Sequence, residues 1–209
     1  VWVTMGGRMS TPPIAQHKHV GAVFLAGYPR IREIFDGYRE DYLKQHGEHA
    51  PFDRLGYLGL IFVGENEKKA REGADKLLWY MTANKVPPYW SNPPGYHPPH
   101  VAAQIMKGKR GGSGVPLTAT LDDQIARGNV FAGTPDQVFE QIKAFWEYSG
   151  GFGNMLMMGH AGFLNHEETI KSMRLYADEI FPRLKELEAS TTPAEAWEKS
   201  KAMPKRENV

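Results

Sequence analysis

Apolar residues recur along the chain in two alternating rhythms. Four short apolar runs, at residues 1–5, 22–26, 57–63 and 155–158, have strand length and almost no polar alternation. Such runs fit strands buried on both faces of a parallel sheet. Their flanking glycines favour strands over short buried helices. Between them the spacing turns helical. Pro29 suits a first helical position, and Ile31, Ile34, Phe35, Tyr38 and Tyr42 form one apolar stripe. A second helix begins at Glu65, with Ala70, Ala74, Leu77, Leu78 and Met81 on one side. Thr134-Pro135-Asp136-Gln137 is a start signal, with Thr134 as cap, Pro135 at the first helical position and Gln137 closing a capping box. Val138, Ile142, Phe145 and Trp146 supply that helix's buried face. A last helix opens at Asn165 with Glu168 three residues on, and its stripe is Ile170, Met173, Ala177, Ile180, Leu184 and Leu187. Pro182 is expected to bend or shorten it, because an interior proline costs about 3 kcal/mol. Strand and helix in alternation predict an α/β fold with a parallel sheet, its strands adjacent in chain order and its helices on one face.

Two regions break the rhythm. Residues 86–119 are rich in proline, glycine and aromatics, and so long a loop within a compact domain is functional or disordered. Its second half, from Lys107 to Gly114, has the composition of a mobile segment. The polar tail after Ala189 is expected to fray, or to form an isolated helical turn or two over residues 194–202. The organisation that follows is one domain over residues 1–187, with a loop insertion at 86–119 and a polar tail at 188–209. The chain opens directly on a strand, and the expectation is that a preceding portion has been lost.

Composition narrows the function classes. At 209 residues, 41% hydrophobic and 23% charged, the chain reads as an ordinary globular protein. A formal net charge of +1 gives no strong field for nucleic acid or a membrane surface. Cysteine is absent, which excludes disulfides, Cys-ligated zinc and thiol catalysis, and fits a cytoplasmic protein. No apolar run approaches the roughly 18 residues of a membrane span.

Candidate chemistry clusters where strands end. Gly6-Gly7, Gly27, Gly64 and Gly159 each follow a strand's last apolar residue. In parallel α/β folds the carboxyl ends of the strands form the ligand-binding edge. Glycine there serves either a close ligand approach or only a tight turn. Gly6-Gly7-Arg8-Met9-Ser10-Thr11 joins a strand to a helix and is the candidate phosphate site, with free N–H donors, the Ser10 or Thr11 hydroxyl and the Arg8 charge. The alternative is that Ser10 only caps its own helix. Residues 108–114 resemble a P-loop in composition, but the lysine precedes the glycines and no strand leads in, so they read as a loop. His17 and His19 diverge on a helix, and His97 and His100 bracket two prolines with no carboxylate nearby, so no metal site is expected. His160 follows a strand's carboxyl end, where it could bind a ligand, act as acid or base, or serve only the loop.

The most specific stretches are Gly133-Thr134-Pro135-Asp136-Gln137-Val138 and the closing run from Gly159-His160-Ala161-Gly162 through Ser172 to Leu184. With the Val1-Trp2-Val3 strand before Gly6-Gly7 and the Gly21-Ala22-Val23-Phe24-Leu25 strand, they resemble the C-terminal half of the luciferase-like flavin-dependent monooxygenases. The resemblance covers residues 1–187. It implies strands five to eight of a (β/α)8 TIM barrel, with the N-terminal half missing. It implies FMN, reduced by a separate flavin reductase, and oxygenation of a small organic substrate with O2. It places Gly6, Gly7, Met9, Ser10 and Thr11 near the FMN phosphate and leaves the catalytic histidine and much of the flavin contact to the first half. Arg8 stands where the family often has a small polar residue, which shifts the phosphate contact toward Ser10. The alternatives are a deazaflavin (F420)-dependent oxidoreductase of the same superfamily and a non-catalytic flavin-binding half-barrel. A homo-oligomer is expected of the complete protein, and inactivity and aggregation or self-association of this chain alone.

Overall fold

The apolar runs assemble into one sheet. A computed structural model of the chain describes residues 1–83, 98–100 and 120–206. Five strands lie among them: β1 (Trp2–Thr4), β2 (Val20–Phe24), β3 (Leu55–Val63), β4 (Val130–Gly133) and β5 (Asn154–Met158). Every pairing is parallel. Trp2 stands opposite Val20, Ala22 opposite Gly56, and Gly56 opposite Asn154, so β1, β2, β3 and β5 form a continuous ribbon. The four strands expected from the sequence are therefore adjacent in chain order.

β4 was not foreseen. Its apolar stretch is only Val130-Phe131-Ala132, too short to stand out from a helix entry. It pairs with the second half of β3, where Leu60 N–H donates to Asn129 O. Leu25 N–H donates to Leu58 O, so β2 occupies the first half of the same β3 edge, since residues 58 and 60 aim their backbone polar groups to one side. β5 takes the other edge.

The helices are α1 (Thr11–Gln16), α2 (Gly27–His46), α3 (Glu67–Ala83), α4 (Leu121–Arg127), α5 (Pro135–Ser149), α6 (His166–Leu175), α7 (Phe181–Ala189) and α8 (Pro193–Ala202). Odd-numbered strand residues point to one face. There Val23, Leu55, Tyr57 and Ile61 pack with Ile31, Phe35 and Tyr38 of α2 and Val138, Ile142 and Phe145 of α5. The expected stripes of α2 and α5 are the buried ones. A helix-covered single face was expected, but the even face is covered too at its carboxyl end. Leu60, Phe62, Val130 and Ala132 pack there with Ala74, Leu77 and Leu78 of α3 and Leu121 of α4. Among the described residues no helix covers the rest of the even face, where Trp2 in β1 is 52% exposed and Phe24, the last residue of β2, 46% exposed.

The terminal helix departs from its expected stripe. Met173 is exposed, while Thr169 and Ser172 are buried. The Ser172 hydroxyl accepts from Val63 N–H at 2.8 Å, which turns the polar side of α6 toward the sheet. A π turn at Tyr176–Ile180 then shifts the phase before Pro182, which sits in the first turn of α7. The helical backbone runs on through Pro182 without a break, since Ile180 and Phe181 keep helical dihedrals and Phe181 N–H donates to Tyr176 O.

The tail does not fray. Thr192 and Glu195 form a capping box for α8, and Trp197 is buried with its indole N–H donating to Asp36 at 2.9 Å. A buried aromatic holds the tail helix on the core.

Candidate functional site

Because all five strands run in one direction, their carboxyl ends lie along one edge of the sheet. β1 leaves the sheet through Gly6-Gly7, into a 3-10 turn at Arg8–Ser10 and then α1. Gly7 is extended, and a Cβ added at Gly6 or Gly7 would meet nothing within 4 Å. The turn is an open cradle at the edge.

Hydrogen-bond accounting within it separates the expected ligands. The Ser10 and Thr11 N–H groups donate to Gly7 O and Arg8 O. Pro12 and Pro13 contribute no N–H, and the N–H groups of Gly6, Gly7, Arg8 and Met9 have no backbone acceptor among the described residues. The Ser10 hydroxyl is half-buried and donates to Gly7 O at 2.6 Å. Thr11 is buried, with its hydroxyl held among Arg8 O at 2.9 Å, Asp41 Oδ2 at 2.6 Å and the Arg8 guanidinium. Met9 is fully turned to solvent. Arg8, expected to bring charge, folds back onto α2. It donates to Asp41 at 2.5 and 3.1 Å and approaches Glu40 at 3.5 Å. Partial burial alone pushes the Asp41 carboxyl up, but the Arg8 and Thr11 hydrogen bonds together outweigh it, and its pKa is lowered.

A different cation reaches the cradle. Arg30, in the second turn of α2, donates to Gly6 O at 2.5 Å, and its side chain is exposed. Sequence reasoning missed it; the available signal was an arginine three residues past Gly27, itself at a strand's carboxyl end.

The β2 exit is backbone-strained. Leu25 has φ +46° and Gly27 has φ +68°. A leucine in the left-handed region is an outlier that its surroundings must hold. Leu25 N–H is fixed by Leu58 O, and the turn packs on Arg127–Asn129, where a Cβ on Gly27 would come to 3.0 Å from Arg127 O. Tyr57 donates to Gly128 O at 2.8 Å within that junction, and burial pushes its phenol well above the ordinary value. Gln124 Nε2 and Asn129 Oδ1, beside the same junction, are buried without partners.

His160 stands at the β5 exit, exposed. Its Nδ1 lies 2.9 Å from Thr169 Oγ1, and the Thr169 hydroxyl donates its one proton to Asn165 O at 2.8 Å. Nδ1 must then be the donor to Thr169, which leaves Nε2 as the lone-pair nitrogen. Thr169 carried no signal in the sequence, because nine residues is not a helical or a strand spacing.

The other histidines fall elsewhere. His17 and His19 stack at 5.5 Å just before β2, at the opposite, amino edge. His97 and the glycine-rich stretch at 108–114 lie outside the described residues, as does most of the 86–119 insertion. Among the described residues no group of three His, Cys, Asp or Glu is placed to hold a metal ion. No described helix is long and apolar enough to cross a membrane. An apolar cavity of about 170 Å3 under α5 and α7, lined by Trp146, Phe152, Met155, Tyr176 and Leu184, opens on the odd face away from the carboxyl edge.

No protein-family model matches the chain, and no curated protein matches it in sequence. Solved structures do match. Monooxygenase RslO1 from Streptomyces bottropensis superposes with a TM-score of 0.60 at 16% identity over 88% of this chain and 47% of its own. The oxygenating constituent of 3,6-diketocamphane monooxygenase from Pseudomonas putida, a type II Baeyer–Villiger enzyme in complex with FMN, gives 0.60 at 18% identity, over 88% and 48%. The coenzyme F420-dependent tetrahydromethanopterin reductase from Methanopyrus kandleri gives 0.55 at 14% identity, over 87% and 50%. The likeness establishes the fold. The chain spans about half the length of these structures.

Proposed function

We propose that the chain is the flavin-phosphate-binding half of a luciferase-like (β/α)8 barrel, four of its eight strands, in an enzyme that oxygenates a small organic substrate with reduced FMN and O2. The open cradle at Gly6-Gly7 carries this reading, because it combines space with no neighbour within 4 Å, the N–H groups of Gly6, Gly7, Arg8 and Met9, which have no backbone acceptor among the described residues, and the exposed Arg30 side chain at one strand's carboxyl end. That donor set suits a phosphate dianion. Gly6, Gly7, Met9 and Ser10 would border the phosphate. Thr11 would support the turn through Asp41, with its backbone in the site and its hydroxyl already engaged. Ser10 would turn its proton from Gly7 O to the phosphate. The uncovered even face, with Trp2, Phe24 and Leu58, would supply an apolar floor that keeps water from the isoalloxazine.

The bound cofactor would supply the redox chemistry. The chain's own residues bind and orient it, and His160 presents Nε2 at the same edge as a proton acceptor. A separate flavin reductase would deliver the reduced cofactor. The F420-dependent reading stays as the second, since one superposing structure uses F420.

The test is a pair of titrations, FMN and F420, followed by fluorescence, with Ser10→Ala alongside. FMN saturation weakened about tenfold by Ser10→Ala, the equivalent of 1.4 kcal/mol, is the expected result. F420 binding without FMN binding would move the assignment to the reductases, and an unchanged FMN affinity would remove Ser10 from the site.

A further inference from the structure

We infer that Arg8 is a positioning residue for the Gly6-Gly7 cradle, held in a seat on α2 and acting on the phosphate only through the backbone it fixes. The inference rests on the cradle part of the functional reading.

The seat is built on one face of α2. Gly37 is the one glycine in the interior of that helix, and it is buried. Glycine there weakens a helix relative to alanine, so the position needs another reason. A Cβ on Gly37 would collide with Arg8 Cδ and Nε, so the arginine stem lies in the gap that the missing side chain leaves. Glu40 and Asp41, three and four residues on, fall on the same face. Asp41 accepts from the guanidinium at 2.5 and 3.1 Å, and Glu40 stands 3.5 Å from it.

This contact holds both ends of the cradle's turn. The 3-10 turn at Arg8–Ser10 is closed by Ser10 N–H donating to Gly7 O and Thr11 N–H donating to Arg8 O. Arg8 opens the turn and Thr11 follows it. Both side chains meet one carboxylate, with the Thr11 hydroxyl 2.6 Å from Asp41 Oδ2 and Arg8 Nη1 donating to Thr11 Oγ1 at 2.5 Å. Between them Met9 points into solvent, and the Ser10 hydroxyl bonds back to Gly7 O within the turn itself. The Arg8 and Met9 N–H groups therefore take their direction from the Asp41 anchor. The positive charge at the cradle is left to Arg30, which donates to Gly6 O at 2.5 Å.

Two roles for Arg8 predict opposite signs. A phosphate ligand parked on Asp41 would be released by Asp41→Asn, and FMN would bind more tightly. A positioning residue would lose its anchor, and FMN would bind more weakly.

Titrations of FMN and of riboflavin, which lacks the phosphate, read the effect at that group. Arg8→Met, Asp41→Asn and Gly37→Ala are each expected to weaken FMN about tenfold and to leave riboflavin within about twofold of wild type. Gly37→Ala is the sharpest of them, because it removes no charge and favours the helix while unseating Arg8. Arg8→Met combined with Asp41→Asn is expected to bind FMN no more weakly than either single variant. Tighter FMN binding by Asp41→Asn, additive losses in the double variant, or equal losses for FMN and riboflavin would each overturn the inference. Backbone order parameters from NMR relaxation, measured without ligand, separate it from the cofactor reading. The Arg8, Met9 and Ser10 amides are expected to be rigid in the wild type, at about 0.85, and to fall below about 0.6 in Asp41→Asn. If they do so in a protein that binds no FMN, the seat stands and the cofactor reading falls. If they stay unchanged, the inference falls whatever the protein binds.

Discussion

The His160 ring is oriented by Thr169, whose Oγ1 lies 2.9 Å from Nδ1 and whose proton is already committed to Asn165 O. The pair fixes a neutral tautomer with the proton on Nδ1 and the lone pair on Nε2. Long-range proton–nitrogen NMR of the neutral ring should find that tautomer. Thr169→Val should release it toward a mixture, with the fold kept because valine matches threonine in shape. A wild-type ring protonated on Nε2 would contradict the relay and remove His160 as a proton acceptor at that nitrogen.

Asp41 ties the cradle to α2, and this gives a pH signature. Its folded pKa lies below the ordinary carboxylate value, with burial opposing and the Arg8 and Thr11 hydrogen bonds prevailing. Stability from this group is fully present above the unfolded value of about 3.9 and is lost as pH falls through the lower folded value. Asp41→Asn should therefore flatten the acid limb of the stability–pH curve below about pH 4. At pH 7 its cost should be near 1 kcal/mol, at the low end for a charged hydrogen bond because Arg8 reaches solvent. An unchanged acid limb in urea titrations would contradict it.

The fully buried Arg39 closes the C-terminus of α5. Its guanidinium donates to Ser149 O and Gly150 O, each at 2.8 Å, and to Gly151 O. Burial pulls its pKa down to about 10, with Asp36 opposing, so it stays charged at neutral pH. Arg39→Met should cost about 3 kcal/mol or more, because three buried carbonyls lose their donor. Arg39→Lys should recover part of it. A denaturation midpoint within error of wild type for Arg39→Met would contradict the clamp.

Trp197 should matter as much to the fold as a core residue. It is 4% exposed and bonded to Asp36 across 161 residues of sequence. Trp197→Ala should cost about 3–5 kcal/mol. Loss of less than 1 kcal/mol would mean that α8 merely rests on the surface.

The sequence was most legible where periodicity ran long. Residues 57–63 of β3 and the stripe of α2 stood out because burial repeats over several turns or pleats. β4 was hidden by its three apolar residues. The stripe of α6 was misread because a single polar bond, Val63 to Ser172, outweighs the apolar count, and because the π turn changes the helical phase. That Gly6-Gly7 follows β1 and leads into a helix could be read from position alone. The withdrawal of Arg8 could not, since its partner Asp41 lies 33 residues away on another helix. Arg30 was overlooked for the same reason.

The central claim is that the Gly6-Gly7 cradle receives the FMN phosphate, and Gly7→Leu tests it most directly. Gly7 is extended and has open space around its Cβ position, so leucine fits the backbone and fills the cradle. FMN affinity should fall at least tenfold for Gly7→Leu while the thermal midpoint stays within about 2 °C of wild type, the shift expected of a surface change under about 0.5 kcal/mol. Equal FMN affinity in the two proteins, with both folded, would contradict the claim.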